Sequence, residues 1–239
     1  ASGAVMIARG DLGAEMPIEE LPHLQKRIIQ RCITLGRPAI TATQMLESMI
    51  SAPSPTRAEA SDVANAVLDG ADAVMLSGET SVGKYPLEAV RTMARIICAV
   101  EEGSNEPPPL IHVPRTKRGV ISHAARDIGE RLDAKALVAF TSSGDTVRRL
   151  SRLHSPLPLL AFVTDPELRN QMALTWGVET FIVSPKDSTD DMIRQVDHAF
   201  LEMGRFERGD LVIIVAGAPP GTVGSTNLIH VHRIGENDH

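Results

Sequence analysis

Short apolar runs begin near Ala4, Ala39 and Ala73, about 35 residues apart, and the first two end abruptly in polar residues able to do chemistry. They read Ala4-Val-Met-Ile-Ala-Arg-Gly-Asp11-Leu-Gly and Pro38-Ala-Ile-Thr-Ala-Thr43-Gln-Met-Leu-Glu-Ser-Met. Unbroken Val/Ile/Met/Ala runs of this length are how parallel strands read when both faces are buried. Helical periods fill the gaps. The first helix is predicted from about Ile18 to Leu35, with Leu21, Leu24, Ile28 and Cys32 on one face and Gly36 as its stop. The second is predicted to start at a capping box, Thr56-Arg-Ala-Glu59, and to end at Gly70. The third runs from Pro86, well suited to a first helical turn, to Glu102, along Leu87, Val90, Ala94, Ile97 and Glu101. Strands alternating with helices predict parallel βα units. Three units do not close an eight-stranded barrel, so this half reads as the end of something larger.

Gly103-Ser-Asn-Glu-Pro-Pro-Pro109 breaks the alternation and reads as a stiff linker. The order then restarts with a helix over Gly119–Leu132. Strands follow at Ala136–Phe140, Leu159–Val163, Thr180–Val183, Leu211–Ala216 and Leu228–Val231, with a helix capped near Ser188 by a box that includes Asp191. The expected organisation is therefore residues 1–103, a linker over 104–118, and an open α/β domain over 119–239.

Composition narrows the function classes. A chain of 239 residues with 43% apolar and 23% charged residues lies in the ordinary globular range. A net charge of −6 carries no electrostatic footprint for nucleic acid or an anionic membrane, and neither is expected as a partner. No run approaches the ~18 apolar residues of a membrane span, and no signal peptide is read at the start. A cytoplasmic location is the expectation. Cys32 and Cys98 are expected to be buried thiols within helices rather than a disulfide.

The chemistry concentrates at strand ends. Asp11 offers a hard oxygen ligand for a divalent cation, and backbone N–H groups around Gly10 can take an anion. Thr43 adds a hydroxyl at the mouth of the next strand. A substrate bearing negative charge and metal fits this set. Arg9-Gly10-Asp11 is also the tripeptide of adhesion ligands, but such loops are exposed and this one abuts a buried strand. Ser77 and Glu79 are read as the end of the third strand, as direct catalysts or as supports for others. His230-Val-His232 is the one histidine pair with ligand-like spacing, and a solvated strand edge is the expected reading. Thr141-Ser-Ser-Gly-Asp-Thr146 joins a strand to a helix starting near Asp145, as an anion site or an ordinary capped turn.

Met6-Ile-Ala-Arg-Gly-Asp-Leu-Gly13, Ala42-Thr-Gln-Met-Leu-Glu-Ser-Met49 and Pro55-Thr-Arg-Ala-Glu59 resemble pyruvate kinase. So do Ser61-Asp-Val-Ala-Asn-Ala-Val-Leu-Asp-Gly-Ala-Asp72 and Met75-Leu-Ser-Gly-Glu-Thr80. The resemblance runs along essentially the whole chain. It implies a partial (β/α)8 TIM barrel, the last three βα units of the catalytic domain, followed by the open α/β regulatory domain. It also implies transfer of a phosphoryl group from phosphoenolpyruvate to ADP, giving pyruvate and ATP, with Mg²⁺ or Mn²⁺; K⁺ is a further candidate cofactor. Gly10 and Asp11 would bind substrate, Asp11 would hold the metal, and Thr43 would contact substrate near its reacting carbon. Arg9 is counted with Thr43 among the catalytic residues. Arg57 would reach a neighbouring subunit of a homotetramer. Thr141, Ser142, Ser143, Gly144 and Thr146 would hold the phosphate of an allosteric effector, faced by the loop Gly217–Thr226 that contains Gly221. The family's catalytic lysine and second metal-binding glutamate lie upstream, outside this sequence. Losing one preorganised electrostatic group costs ~3–4 kcal/mol, so the chain alone is expected not to turn over. The rival readings are a non-catalytic module for effector binding and oligomerisation, and another barrel lyase that binds pyruvate and metal.

Overall fold

The first sheet forms from three parallel strands, β1 (Val5–Ala8), β2 (Ala39–Ala42) and β3 (Ala73–Val74), in that order. Val5 pairs with Ala39 and Ile40 with Ala73, so the strand ends come level at Ala8 and Ala42. The computed structural model describes residues 2–103, 114–220 and 224–236. Its contacts divide the chain into two units, Ala1–Ile111 and His112–His239. In the first unit, α1 (Arg9–Glu15), α2 (Leu21–Leu35), α3 (Arg57–Leu68), α4 (Gly78–Ser81) and α5 (Pro86–Gly103) complete the order.

The helices bury different faces from those predicted. Helix α2 buries Gln25, Ile29, Cys32 and Ile33, and Ile7, Ala39 and Ala71 join them in one cluster. Leu21, Leu24 and Ile28 are only half-buried. The helix carries two adjacent apolar stripes; the one facing the strands is fully covered, and the predicted one only in part, with Cys32 buried and Ile28 packed at the margin of the cluster. Helix α5 repeats this: Ala89 and Met93 pack with Val63, Ala66, Met45, Leu46 and Met49, while Leu87 and Val90 stay 68% and 51% exposed. Cys32 is buried as expected, but Cys98 is exposed, a correction that follows from the same rotation of α5. Helix α1 was not predicted, because Gly10 and Gly13 are poor helix formers. Ser77 and Glu79 lie at the cap and in the turn of α4 rather than on β3, which stops at Val74.

The second unit contains α6 (Lys117–Arg131), β4 (Ala136–Phe140), α7 (Asp145–Ser151), β5 (Leu159–Val163) and α8 (Pro166–Met172). It continues with β6 (Val178–Ile182), α9 (Thr189–Met203), β7 (Leu211–Gly217) and β8 (Thr226–Arg233). The sheet order is β6-β5-β4-β7-β8, parallel except for β8, which pairs antiparallel with β7. Alternate residues serve opposite layers. Leu137, Ala139, Ala161, Ile213 and Val215 pack with Ala125, Val147 and Met172 of the helices on one face. Ala136, Val138, Phe162, Val212 and Ile214 pack with Val196 and Phe200 of α9 on the other. Two apolar faces explain the continuous apolar runs. Phe162 anchors the second layer, edge-on to Phe140, Phe181 and Phe200 at 5.1, 5.8 and 6.1 Å. Helix α6 approaches the sheet closely at Gly129, where a methyl group would meet Leu157 Cδ1 at 2.8 Å.

His232 corrects the solvated-edge expectation. It is 2% exposed, and its Nε2 lies 2.7 Å from Asp197 Oδ1 on α9. Strand β8 is longer than predicted, so His232 sits over the helix rather than at a frayed end. His154 stacks on Trp176 at 4.1 Å, and burial lowers its pKa to about 4.

The predicted capping box is present at α3, where Thr56 Oγ1 accepts from the Glu59 N–H and Glu59 accepts from the Thr56 N–H. Glu59 also accepts from the N–H and hydroxyl of Ser48 at 2.7 and 2.5 Å. Burial alone would raise the Glu59 carboxyl, but these hydrogen bonds outweigh it and hold it below its usual value. A lowered folded-state pKa contributes stability above the unfolded value of about 4.3, lost as pH falls through the folded value. Urea unfolding of Glu59→Gln should therefore show lower stability at pH 7 and a flatter decline below about pH 4.3 than the wild type. Thr56→Ala should cost about 1 kcal/mol at either pH.

Candidate functional site

Beyond β2 the backbone turns left-handed at two consecutive residues that are not glycine, Thr43 (φ 66°) and Gln44 (φ 55°). A β-branched residue in this region is strained and needs its surroundings to hold it there. The holder is Arg9, 6% exposed at the start of α1. Its Nη2 donates to the Thr43 carbonyl at 2.8 Å and to the Gln44 carbonyl at 3.2 Å, and its Nε donates again to Thr43 O at 3.2 Å. Its Nη1 meets both carboxylate oxygens of Asp62 on α3, at 2.7 and 2.6 Å. A guanidinium suits this work because its donors lie in one rigid plane.

The turn aims Thr43 back at the first strand. Thr43 Oγ1 accepts from the Gly10 N–H at 2.9 Å and donates to Ala42 O at 2.7 Å. Two motifs 33 residues apart thus meet at one hydrogen bond. Gly10 and Asp11 are exposed on the first turn of α1, with Thr43 partly covered beside them. Arg9 is directed into protein. Glu79, 3% exposed, grips the far side of the turn: Oε1 accepts from the Leu46 N–H at 3.0 Å and Oε2 from the Ser77 N–H at 2.8 Å. That is a supporting position. Arg57 is exposed at the first turn of α3. Among the described residues no three His, Cys, Asp or Glu side chains gather as a metal site. Asp11 offers a single hard carboxylate, which suits Mg²⁺, an ion that keeps several waters and takes one or two protein carboxylates with substrate phosphate.

In the second unit a cavity of about 240 Å³ opens at the carboxyl ends of the strands. This is where open α/β sheets bind ligands. Thr141, Ser142, Ser143 and Thr146 line it, as does Thr226 across the mouth. Three of these hydroxyls are already engaged. Thr141 Oγ1 accepts from the Gly144 N–H at 2.9 Å, and Thr146 Oγ1 lies 2.7 Å from Thr226 Oγ1. Gly144 adopts φ +78°, and a Cβ there would meet Met172 Cε at 2.8 Å and Arg148 Nη1 at 3.0 Å. Gly221 and its two following residues lie outside the described residues. Asp145 also lines the cavity. Burial would raise its carboxyl, but Arg149 at 2.9 Å and Arg118 at 2.8 Å hold it below the usual carboxylate range. The sequence reading missed Lys186 and Asp187, just before the α9 cap, and Gln195, within α9, which also line the cavity.

Two family models match the chain. That described as "Pyruvate kinase, barrel domain" covers residues 1–90, and that described as "Pyruvate kinase, alpha/beta domain" covers residues 120–232. The chain is 76% identical over 235 residues to a pyruvate kinase of Mycobacterium tuberculosis, covering 98% of this chain and 50% of that protein. A pyruvate kinase of Corynebacterium efficiens is 62% identical, with 98% and 49% covered. The crystal structure of a pyruvate kinase from Cryptosporidium parvum superposes with a TM-score of 0.88 at 35% identity, over 98% of this chain and 47% of that one. The chain spans about half the length of the curated relatives it matches.

Removing the Arg9 guanidinium strips Asp62 of its partner and leaves the Thr43 and Gln44 carbonyls without their donor. Arg9→Met should lower the unfolding free energy of the first unit by about 3 kcal/mol, read by urea titration of the whole chain. A loss under about 0.5 kcal/mol would show that the turn holds itself.

Proposed function

We propose, because this chain belongs to the pyruvate kinase family, that it supplies part of an enzyme that moves the phosphoryl group of phosphoenolpyruvate to ADP. In this reading residues 1–103 are the C-terminal part of a catalytic barrel and residues 119–239 a regulatory α/β domain. The observation that carries it is the Gly10–Thr43 hydrogen bond, which brings the two motif-bearing strand ends into one site.

The chain's own groups suit the chemistry. Substrate displacing Thr43 Oγ1 from the Gly10 N–H would find a preorganised donor for an anionic oxygen. The freed Thr43 hydroxyl stands at the same strand mouth, able to give or take a hydrogen bond near the reacting carbon. Asp11 would hold Mg²⁺ or Mn²⁺ by its carboxylate. When bound, the ion offsets negative charge on the transferring phosphoryl group. Arg9, committed to Thr43, Gln44 and Asp62, acts on the reaction through the turn it holds. Arg57, exposed where a cation faces the positive end of a helix, gains from an acidic or carbonyl partner on another subunit. That supports an oligomer, and the family resemblance suggests a homotetramer.

Turnover separates catalysis from a purely binding role. The 239-residue chain alone should form no measurable pyruvate. A polypeptide of the relatives' full length carrying it should turn over, and Asp11→Asn there should abolish activity with the fold intact, because Mg²⁺ prefers a carboxylate to an amide. Activity of that variant within about tenfold of wild type would remove Asp11 from the metal.

The second unit's cavity supports a regulatory role, with an effector phosphate held by Thr141, Ser142, Ser143 and Thr146. Ser143→Asp places a carboxylate at the cavity wall, where repulsion of a phosphate is on the order of a few kcal/mol before screening. Activation by sugar phosphates or nucleotides should shift to at least tenfold higher concentration, with basal activity unchanged. An unshifted response to every activator tested would reduce the loop to a capped turn.

A further inference from the structure

We infer that Asp62, on α3, is a positioning residue for the reaction: it orients Arg9 so that the Thr43–Gln44 turn keeps the Thr43 hydroxyl at the strand mouth beside the Gly10 N–H. The inference rests on the catalytic reading above.

Three observations carry it. The turn is intrinsically unfavourable, with left-handed dihedrals at a threonine and a glutamine in succession. Its two carbonyls have a common donor, Arg9, whose guanidinium faces them with Nε and Nη2 and faces Asp62 with Nη1. Asp62 holds Nη1 with both carboxylate oxygens at 2.7 and 2.6 Å, and together with the Nε and Nη2 bonds to the turn this anchors the guanidinium on two sides. The Asp62 side chain is 37% exposed whereas that of Arg9 is 7% exposed. The carboxylate is thus the outer, water-reachable end of a relay whose inner end is the strained turn.

The geometry assigns Asp62 an effect on rate rather than on ground-state affinity. Without its carboxylate the guanidinium can rotate, the carbonyls of Thr43 and Gln44 lose their aligned donors, and the hydroxyl no longer sits at one place. Displacing a catalytic group by about 1 Å can cost on the order of a hundredfold in rate. Asp62 touches no substrate in this scheme, so binding of the substrate should change little.

The test compares Asp62→Asn and Asp62→Glu in a polypeptide of the relatives' full length, with phosphoenolpyruvate and ADP as substrates and thermal unfolding as the check on folding. Asp62→Asn should lower kcat at least tenfold while KM for phosphoenolpyruvate moves less than threefold. Asp62→Glu, which restores a carboxylate one methylene further out, should recover part of the rate. A wild-type kcat in folded Asp62→Asn overturns the inference, as does a loss that appears in KM alone. If Asp62→Asn does not fold, Asp62→Ser, which also removes the carboxylate, decides by the same split, and a wild-type kcat there overturns it. If the unsubstituted polypeptide forms no pyruvate, it is the catalytic reading that fails, and the two failures are told apart by that control.

Discussion

The first unit depends on one buried cation. Arg9 ends a strand and starts a helix, and its guanidinium reaches two carbonyls and a thioether on the next strand's turn and a carboxylate on the helix beyond. Two successive βα units are thereby tied at the end of the sheet where Gly10, Asp11 and Thr43 sit. The device has a cost, because the turn it holds is left-handed at Thr43 and Gln44. Strain of this kind persists only where neighbours over-determine it, and such places cluster at functional sites. Arg9 thus explains both the stability of the turn and its aim.

Carboxylates finish the same task elsewhere by accepting from backbone N–H groups that strands and helices leave unpaired. Glu79 takes the N–H groups of Leu46 and Ser77, Asp72 takes that of Ala39 at 2.8 Å, and Asp197 takes that of Gly235 at 3.1 Å. Glu59 takes two more at the junction of the Ser48 turn and α3. Each ties together backbone segments distant in sequence or at a turn, and around the Thr43–Gln44 turn these bonds act beside the apolar packing of Met45, Leu46 and Met49. Buried donors without partners would cost about 1–3 kcal/mol each, which makes these carboxylates structural necessities.

The second unit places its cavity by topology. Its strands are apolar on both faces, so helices must cover both, and the openings left are at the strand ends. Thr141 and Thr226 come from different strands and meet at one such end only because β7 and β8 return beside β4. Asp145, inside the cavity, would repel an anion if it stood alone. Arg118 and Arg149 neutralise it, which keeps the wall compatible with a phosphate.

Local rules made much of this chain legible. The capping box at Thr56 and Glu59, the strand cores at Ile7, Ala39 and Val138, and the polar ends at Asp11 and Thr43 each follow from residues within one turn or strand of one another. What spans distance was not legible. The stripe buried on α2 and α5, the register that brings His232 over Asp197, the turn of Glu79 away from β3 and the grip of Arg9 on Asp62 join residues up to 53 positions apart. Two apolar stripes on one helix are equivalent until a sheet covers one of them. An arginine at a strand end reads as a free cation until a carboxylate from another helix arrives. The sequence determined which elements form and what chemistry their ends could carry, because propensity, capping and periodicity act over a few residues. Only the tertiary structure decided which face is inside and which charge is spent on holding the site, because burial and pairing are properties of neighbours that the chain brings together by folding.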